Sequence, residues 1–339
     1  MQLDDGAWAI TVGSTQQLQV ARRYGFDRIV MANQLVGARA IRYVLEEVAR
    51  DASFDFYSLV DSVEQATRLA EAARAARLPR PLQLIVEGGF VGGRTGCRTL
   101  EQAIAVARIV KAASPFLSLR GVGGYEGLLR SPDADELDGM VRGFLDYLAD
   151  IAIACDREDL FGEGEVLLTA GGSTFYDLVP ERFGKAGVKR PFKVLTRSGC
   201  YLTHDSGEYK DRFQQLRRRT PTIDDLGEPL VPALEVWTYV QSRPEPTKAI
   251  LTGGKRDISF DSRLPQPLKW LRPSGGASAS DIRPMGEGHV VTGLNDQHCH
   301  LTLPEDSPLA VGDLIAFGVS HPCTTFDKWQ LIHVIDDDH

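Results

Sequence analysis

The 339-residue sequence has no apolar run approaching the roughly 20 residues of a membrane helix. Polar residues rather than a signal-peptide core follow Met1, so the sequence leads us to expect a cytoplasmic protein that does not enter a membrane. Basic charge is also short. The 38 Lys+Arg residues face 46 Asp+Glu, a formal net charge of -8, which argues against nucleic acid and membrane surfaces as partners, since both select basic faces. A small-molecule substrate is the expectation. The five cysteines, Cys97, Cys155, Cys200, Cys299 and Cys323, are odd in number and scattered along a long chain. They do not form the pattern of a disulfide framework, and reduced thiols are expected. Also missing is any G-x-G-x-x-G turn after the first apolar strand, which weakens a dinucleotide-binding reading.

From residue 7 to about 205 one theme repeats: a short β-rich apolar run, a loop, then a stretch with helical spacing. Seven such runs stand at 7–12, 27–33, 54–60, 82–88, 116–124, 165–172 and 192–199. Between them, segments such as 63–77 and 100–113 repeat their apolar residues at helical spacing and read as crossover helices. The alternation predicts a parallel sheet, either open and doubly wound or a barrel lacking one strand. After about residue 215 the rhythm breaks at the polar stretch 217–230. Short strands with turns follow at 233–243, 248–254, 288–303 and 313–321. The predicted organisation is an α/β domain over 1–215 and an all-β domain over 216–339.

Two glycine turns, TAGGST (169–174) and RSGCY (197–201), close the last two runs of the first domain. Glycines there let backbone N–H groups approach an anion, as in the phosphate loops of (β/α)8 barrels, although either turn alone is equally an ordinary one. The run 82–88 ends in Glu87 and leads to Arg94 in a glycine-rich loop, and Tyr125 stands in GGYEG. Both suit the wall of a ligand site, and both also suit a solvated loop. Near the C-terminus, His321 and Cys323 are two residues apart, so in an extended segment they face one side. Imidazole with thiolate suits zinc, and two protein ligands leave positions open for water and substrate. A buried cysteine beside a hydrogen-bonding histidine fits the same spacing. His298 and His300 repeat the i, i+2 pattern, and His204 with Asp205 forms a further polar cluster that reads most simply as solvated surface.

Taken in order, GAWAITVGS, RIVMANQLVG, YSLVDS, TAGGST, RSGCYLTHD and SHPCTTFDKW resemble the zinc- and pyridoxal-phosphate-dependent D-serine dehydratases and their amino-acid deaminase relatives. The related D-threonine aldolases belong to the same alanine racemase-like group. The resemblance spans nearly the whole chain. It implies an alanine racemase-like (β/α)8 barrel missing its first strand, followed by the all-β domain. It further implies that Gly171, Gly172 and Ser173, with Gly199, Cys200 and Tyr201, hold the phosphate of pyridoxal 5'-phosphate. By the same resemblance His321 and Cys323 bind Zn2+, Arg94 and Tyr125 line the cofactor or substrate, and His298 lies near the metal. A D-3-hydroxy amino acid such as D-serine is the implied substrate, eliminated to a keto acid and ammonia, with aldol cleavage as the alternative. A homodimer is expected by analogy. The family's Schiff-base lysine precedes the segment matching GAWAITV, and none of Lys111, Lys185, Lys189, Lys193, Lys210, Lys248, Lys255, Lys269 or Lys328 matches it. The expectation is a shortened form of an ordinary enzyme, with a phosphate-binding pseudoenzyme as its rival.

Overall fold

The computed structural model describes residues 2–172, 174–227, 230–273 and 281–335. The chain divides into two compact units, Met1–Ser198 and Gly199–His339.

Unit 1 is a parallel sheet of seven strands: β1 (Ile10–Val12), β2 (Arg28–Gln34), β3 (Asp55–Val60), β4 (Leu82–Glu87), β5 (Leu117–Gly123), β6 (Val166–Ala170) and β7 (Phe192–Thr196). Their spatial order is their chain order, so every crossover moves to the adjacent strand in the same direction. A doubly wound sheet reverses direction at a switch point, so this order settles the choice for a barrel-like sheet. The crossovers carry helices α1 (Thr15–Arg23), α2 (Ala38–Arg50), α3 (Val63–Ala75), α4 (Leu100–Ala112), α5 (Ala134–Arg157) and α6 (Leu178–Phe183).

The central strands are buried on both faces, and alternate residues separate the two. Phe56 and Val60 of β3 and Leu82, Leu84 and Val86 of β4 pack outward in the large core shared with the helices. Tyr57, Leu59, Ile85, Val30 and Leu167 form the separate inner cluster. On the inner face of β4, polar residues bracket Ile85. The Gln83 side-chain Oε1 accepts from Arg120 at 2.6 Å, and Glu87 accepts from Gln34 at the C-terminal end. The inner face is therefore apolar in the middle and polar at the end where barrel sites form.

A repeated cap fixes the entry of three helices. Ser14, Ser62 and Thr99 each accept from the amide of a glutamine three residues on, Gln17, Gln65 and Gln102. Each glutamine side chain in turn accepts the amide of the residue before the cap, Gly13, Asp61 and Arg98. Thr99→Ala removes one such acceptor and is expected to destabilise unit 1 by about 1 kcal/mol, read as a lower urea midpoint at unchanged slope.

Unit 2 holds an antiparallel sheet ordered β11 (Arg283–Pro284), β10 (Gln266–Leu271), β14 (Leu314–Gly318), β8 (Glu235–Glu245), β9 (Lys248–Leu251), β13 (Cys299–Thr302) and β12 (Val290–Leu294). Val236, Val240, Leu251, Leu301, Ile315 and Phe317 form its buried centre. Unit 2 also contains α7 (Glu208–Arg219) and the one-turn helix α8 (Pro322–Phe326). The division at Ser198/Gly199 falls before the boundary at 215 read from the sequence. The cause is packing that composition does not show. The Ser206 amide donates to the Val319 carbonyl at 2.9 Å, Arg263 pairs with Asp211 at 2.6 Å, and Ser262 donates to Glu208, which ties α7 to unit 2.

Candidate functional site

In unit 1 the C-terminal strand ends gather Glu87, Arg94, Tyr125, Glu126, Gly171, Gly172 and Arg197. The loop after β4 folds back on its own strand, with the Cys97 amide donating to the Glu87 carbonyl and the Gly89 amide to the Cys97 carbonyl, each at 2.8 Å. Gly96 is required there: its φ is +98°, and an added Cβ would lie 2.6 Å from the Gly88 backbone. Arg98 holds the loop by donating to the carbonyls of Gly93, Arg94, Thr95 and Gly96. This places the exposed Arg94 guanidinium 5.0 Å from the centre of the Tyr125 ring. The two residues assigned to a ligand wall are thus brought together. The Tyr125 ring also packs against Gly171, where an added Cβ would come within 2.4 Å of it.

The glycine turn after β6 does make an anion site, but its occupant is internal. Glu126 is fully buried, and its carboxylate accepts the Gly171 amide at 3.0 Å and the Gly172 amide as well. These two N–H groups donate to Glu126, and a cofactor phosphate at Gly171 and Gly172, as the resemblance implies, would have to displace that carboxylate. Ser173 lies outside the described residues. Beside them, Arg197 donates to Thr169 Oγ1 and to the Gly124 carbonyl, both at 2.7 Å. Burial lowers its pKa from the ordinary arginine value, while Glu126 and Glu87 push it back up. Burial likewise raises the Glu87 carboxyl, opposed by hydrogen bonds from Gln34 and Thr95. Neither Glu126 nor Arg197 stood out in the sequence, although GGYEG and TRSG contain them.

In unit 2, Gly199 opens a 3-10 helix over Cys200–Leu202, whose first amides lack partners within the helix. The Cys200 thiol points inward and stands 3.6 Å from the Cys323 sulfur. His204 and Asp205 are 5% and 1% exposed, not solvated as the sequence suggested. Asp205 Oδ1 accepts the amides of Gly207, Tyr209 and Lys210, so its role is to cap α7.

His321 and Cys323 are not in an extended segment. His321 is the N-cap of α8, Pro322 occupies its first turn, where a fixed φ suits a helix, and Cys323 follows within that turn. The two side chains nevertheless meet, the ring hydrogen-bonding the thiol. Asp261 accepts from His321 Nδ1 at 2.5 Å and from Thr324 Oγ1 at 3.1 Å. The Asp261 contact holds the ring through Nδ1, so Nε2 is the nitrogen that faces the Cys323 thiol or a metal. His298, expected near this pair, is exposed in the turn between β12 and β13, and its side chain makes no hydrogen bond among the described residues. His300 instead pairs with Asn295 at 2.6 Å. Among the described residues no three His, Cys, Asp or Glu side chains converge as a metal cage.

The Cys323 thiol is lowered from 9.0 to about 5 by hydrogen bonds from Cys200 and His321, and His321 is raised from 6.5 to about 9 by Cys323 and, after burial opposes it, Asp261. The thiolate's contribution to stability is present above pH 9 and lost as pH falls through about 5. The imidazolium's is present below pH 6.5 and lost as pH rises through about 9. The ion pair therefore persists between about 5 and 9. Cys323 is expected to alkylate with iodoacetamide almost equally fast at pH 6.5 and 8, where an ordinary thiol would accelerate roughly 30-fold. Rates read by peptide mapping check this, with a 30-fold rise counting against it.

The family described as "Putative serine dehydratase domain" matches residues 233–335. No curated protein sequence matches the chain. Among solved structures, the chain is similar to D-threonine aldolase from Filomicrobium marinum, with 22% identity, a TM-score of 0.69, and 97% of this chain and 78% of that one covered. It is similar to D-threo-3-hydroxyaspartate dehydratase from Delftia sp. HT23, with 19% identity, a TM-score of 0.64, and coverage of 97% and 81%. An alanine racemase-like protein from Idiomarina loihiensis aligns at 15% identity and a TM-score of 0.62, covering 94% and 77%. The chain therefore has the alanine racemase-like fold of these solved structures, and the match to the family described as "Putative serine dehydratase domain" lies within unit 2.

Proposed function

We propose that the protein is a lyase of D-3-hydroxy amino acids such as D-serine, working with pyridoxal 5'-phosphate and zinc. The observation that carries the reading is the His321–Cys323 pair with Asp261 bound to Nδ1 of the ring. A carboxylate on the far nitrogen is the usual support of a metal-ligating histidine, because it fixes the tautomer and aims the other nitrogen. The neighbouring thiol is already acidified, as a zinc ligand must be. The donor set therefore fits zinc with positions left open for substrate. A dehydratase of this fold has been solved in a form described as metal-free. When bound, zinc would supply Lewis-acid polarisation of the substrate's β-hydroxyl, which is otherwise a poor leaving group. Asp261 and Thr324 hold the imidazole still, and Arg94 and Tyr125 supply a cationic and aromatic wall in unit 1.

Pyridoxal phosphate fits the chain in part. In unit 1 the turn that the resemblance assigns to the phosphate has Glu126 on the amides of Gly171 and Gly172, and in unit 2 the assigned turn opens a 3-10 helix at Gly199. Among the described residues no lysine stands at the C-terminal strand ends of unit 1. Lys111 lies on α4 and pairs with Asp159, Lys185 and Lys189 lie between α6 and β7, and Lys193 sits at the opposite end of β7 beside Glu165. The resemblance puts the anchoring lysine on a strand ahead of the segment matching GAWAITV. A second reading is a phosphate-binding pseudoenzyme. The test supplies zinc, pyridoxal phosphate and a small primary amine in place of the lysine, and measures keto acid from D- and L-serine. Formation that is D-selective and abolished by a chelator supports the lyase. No keto acid, or equal and chelator-insensitive rates from both enantiomers, counts against it.

A further inference from the structure

We propose that Cys200 and Cys323 are an oxidation site that closes to a reversible disulfide and so takes Cys323 away from the metal. The metal half of this statement rests on the proposed zinc site, while the disulfide half stands on geometry alone. The two sulfurs are 3.6 Å apart within unit 2, although 123 residues separate them in sequence. Closure to a bond of about 2.05 Å needs an approach of roughly 1.5 Å. Both residues sit in short helical turns, Cys200 at the start of a three-residue 3-10 helix and Cys323 in the first turn of α8. The approach therefore demands no movement of a sheet strand.

The exposures divide the labour. Cys323 is exposed and can meet a dissolved oxidant, whereas Cys200 is buried and can meet little but Cys323. The remaining cysteines are elsewhere: Cys97 donates to the Asp61 carbonyl and Cys155 lies in the helix-side core of unit 1, and Cys299 is fully buried in the β-sheet core. With hydrogen peroxide as oxidant, the Cys323 sulfur attacks one peroxide oxygen, the O–O bond breaks, and water leaves, giving a sulfenic acid. The Cys200 sulfur then attacks the Cys323 sulfur, the S–O bond breaks, and a second water carries off the remaining proton. Two thiols and one peroxide become one disulfide and two waters. A dithiol such as dithiothreitol returns both thiols by exchange.

The site is thus a choice between two occupants of one sulfur. With the thiols free, Cys323 can ligate zinc beside His321, and with the disulfide closed His321 is left alone. Among the described residues of the unit, the buried hydroxyls without a hydrogen-bond partner, Ser206, Thr238 and Ser320, offer no comparable chemistry.

The experiment treats the purified chain, once metal-free and once loaded with one equivalent of zinc, with a few equivalents of hydrogen peroxide, and maps peptides without reduction. In the metal-free chain a Cys200–Cys323 cross-linked peptide, loss of two free thiols and full recovery with dithiothreitol are expected. In Cys200→Ser the cross-link is absent and Cys323 carries a sulfenic or sulfinic acid. Oxidation of wild-type Cys323 without the cross-link overturns the proposal. In the zinc-loaded chain, oxidation is expected to release the metal to a chromogenic chelator. A cross-link formed with no zinc bound beforehand or released afterwards sinks the zinc reading and leaves the disulfide site standing.

Discussion

Replacing Glu126 with alanine is expected to destabilise unit 1 by about 3–5 kcal/mol, more than any surface change in the chain. The carboxylate is fully buried and satisfies two amides, Gly171 and Gly172, that have no water to turn to. Each lost hydrogen bond to a charged acceptor costs about 1.5–3 kcal/mol, and the orphaned N–H groups add to it. Arg197 loses its largest compensating negative charge at the same time. Glu126→Gln keeps the shape and one acceptor oxygen but turns an NH2 toward the second amide, so it is expected to recover less than half of the loss. Urea titration of both variants measures this, and an alanine variant within 1 kcal/mol of the parent would contradict the account. A double change with Arg197→Met should cost less than the sum of its parts, because removing both charges leaves neither uncompensated.

Zinc affinity is the second large effect. Asp261→Asn is expected to weaken zinc binding 10–100-fold, because an amide can still reach His321 Nδ1 but no longer stabilises the ring as a charged acceptor. Cys323→Ser and His321→Ala each remove a proposed ligand, and should abolish binding at micromolar metal. Competition with a chromogenic chelator gives the three affinities. Equal affinity for Asp261→Asn and the parent would mean that Asp261 only packs against the ring.

The difference between what the sequence disclosed and what it hid follows from the range of the interactions involved. All of the parallel strands were legible, because each is a short apolar run bounded by turn residues, the central ones such as LQLIVE buried on both faces. β10 was not, since Pro267 interrupts it and its burial alternates weakly. The segment 288–303 was read as one stretch, yet Asn295 turns it into the β12–β13 hairpin by donating its amide to the His298 carbonyl. His321 and Cys323 were found from spacing even though the assumed extended backbone is a helical turn, because residues at the cap and in the first turn can also meet. Asp261, Glu126 and the Cys200 sulfur were out of reach. Their partners lie 60, 45 and 123 residues away, and only the fold brings them together. The glycines of TAGGST were recognised as an anion site, but no pattern in the chain says that its anion is Glu126.

The most direct test of the central claim is the absorption spectrum of the chain titrated with Co2+ in place of zinc under reducing conditions. The account expects one equivalent to bind with a thiolate-to-cobalt charge-transfer band that disappears in Cys323→Ser and persists in His298→Ala. No such band in the parent, or a band unchanged in Cys323→Ser, would contradict His321 and Cys323 as the metal pair of a D-amino-acid lyase.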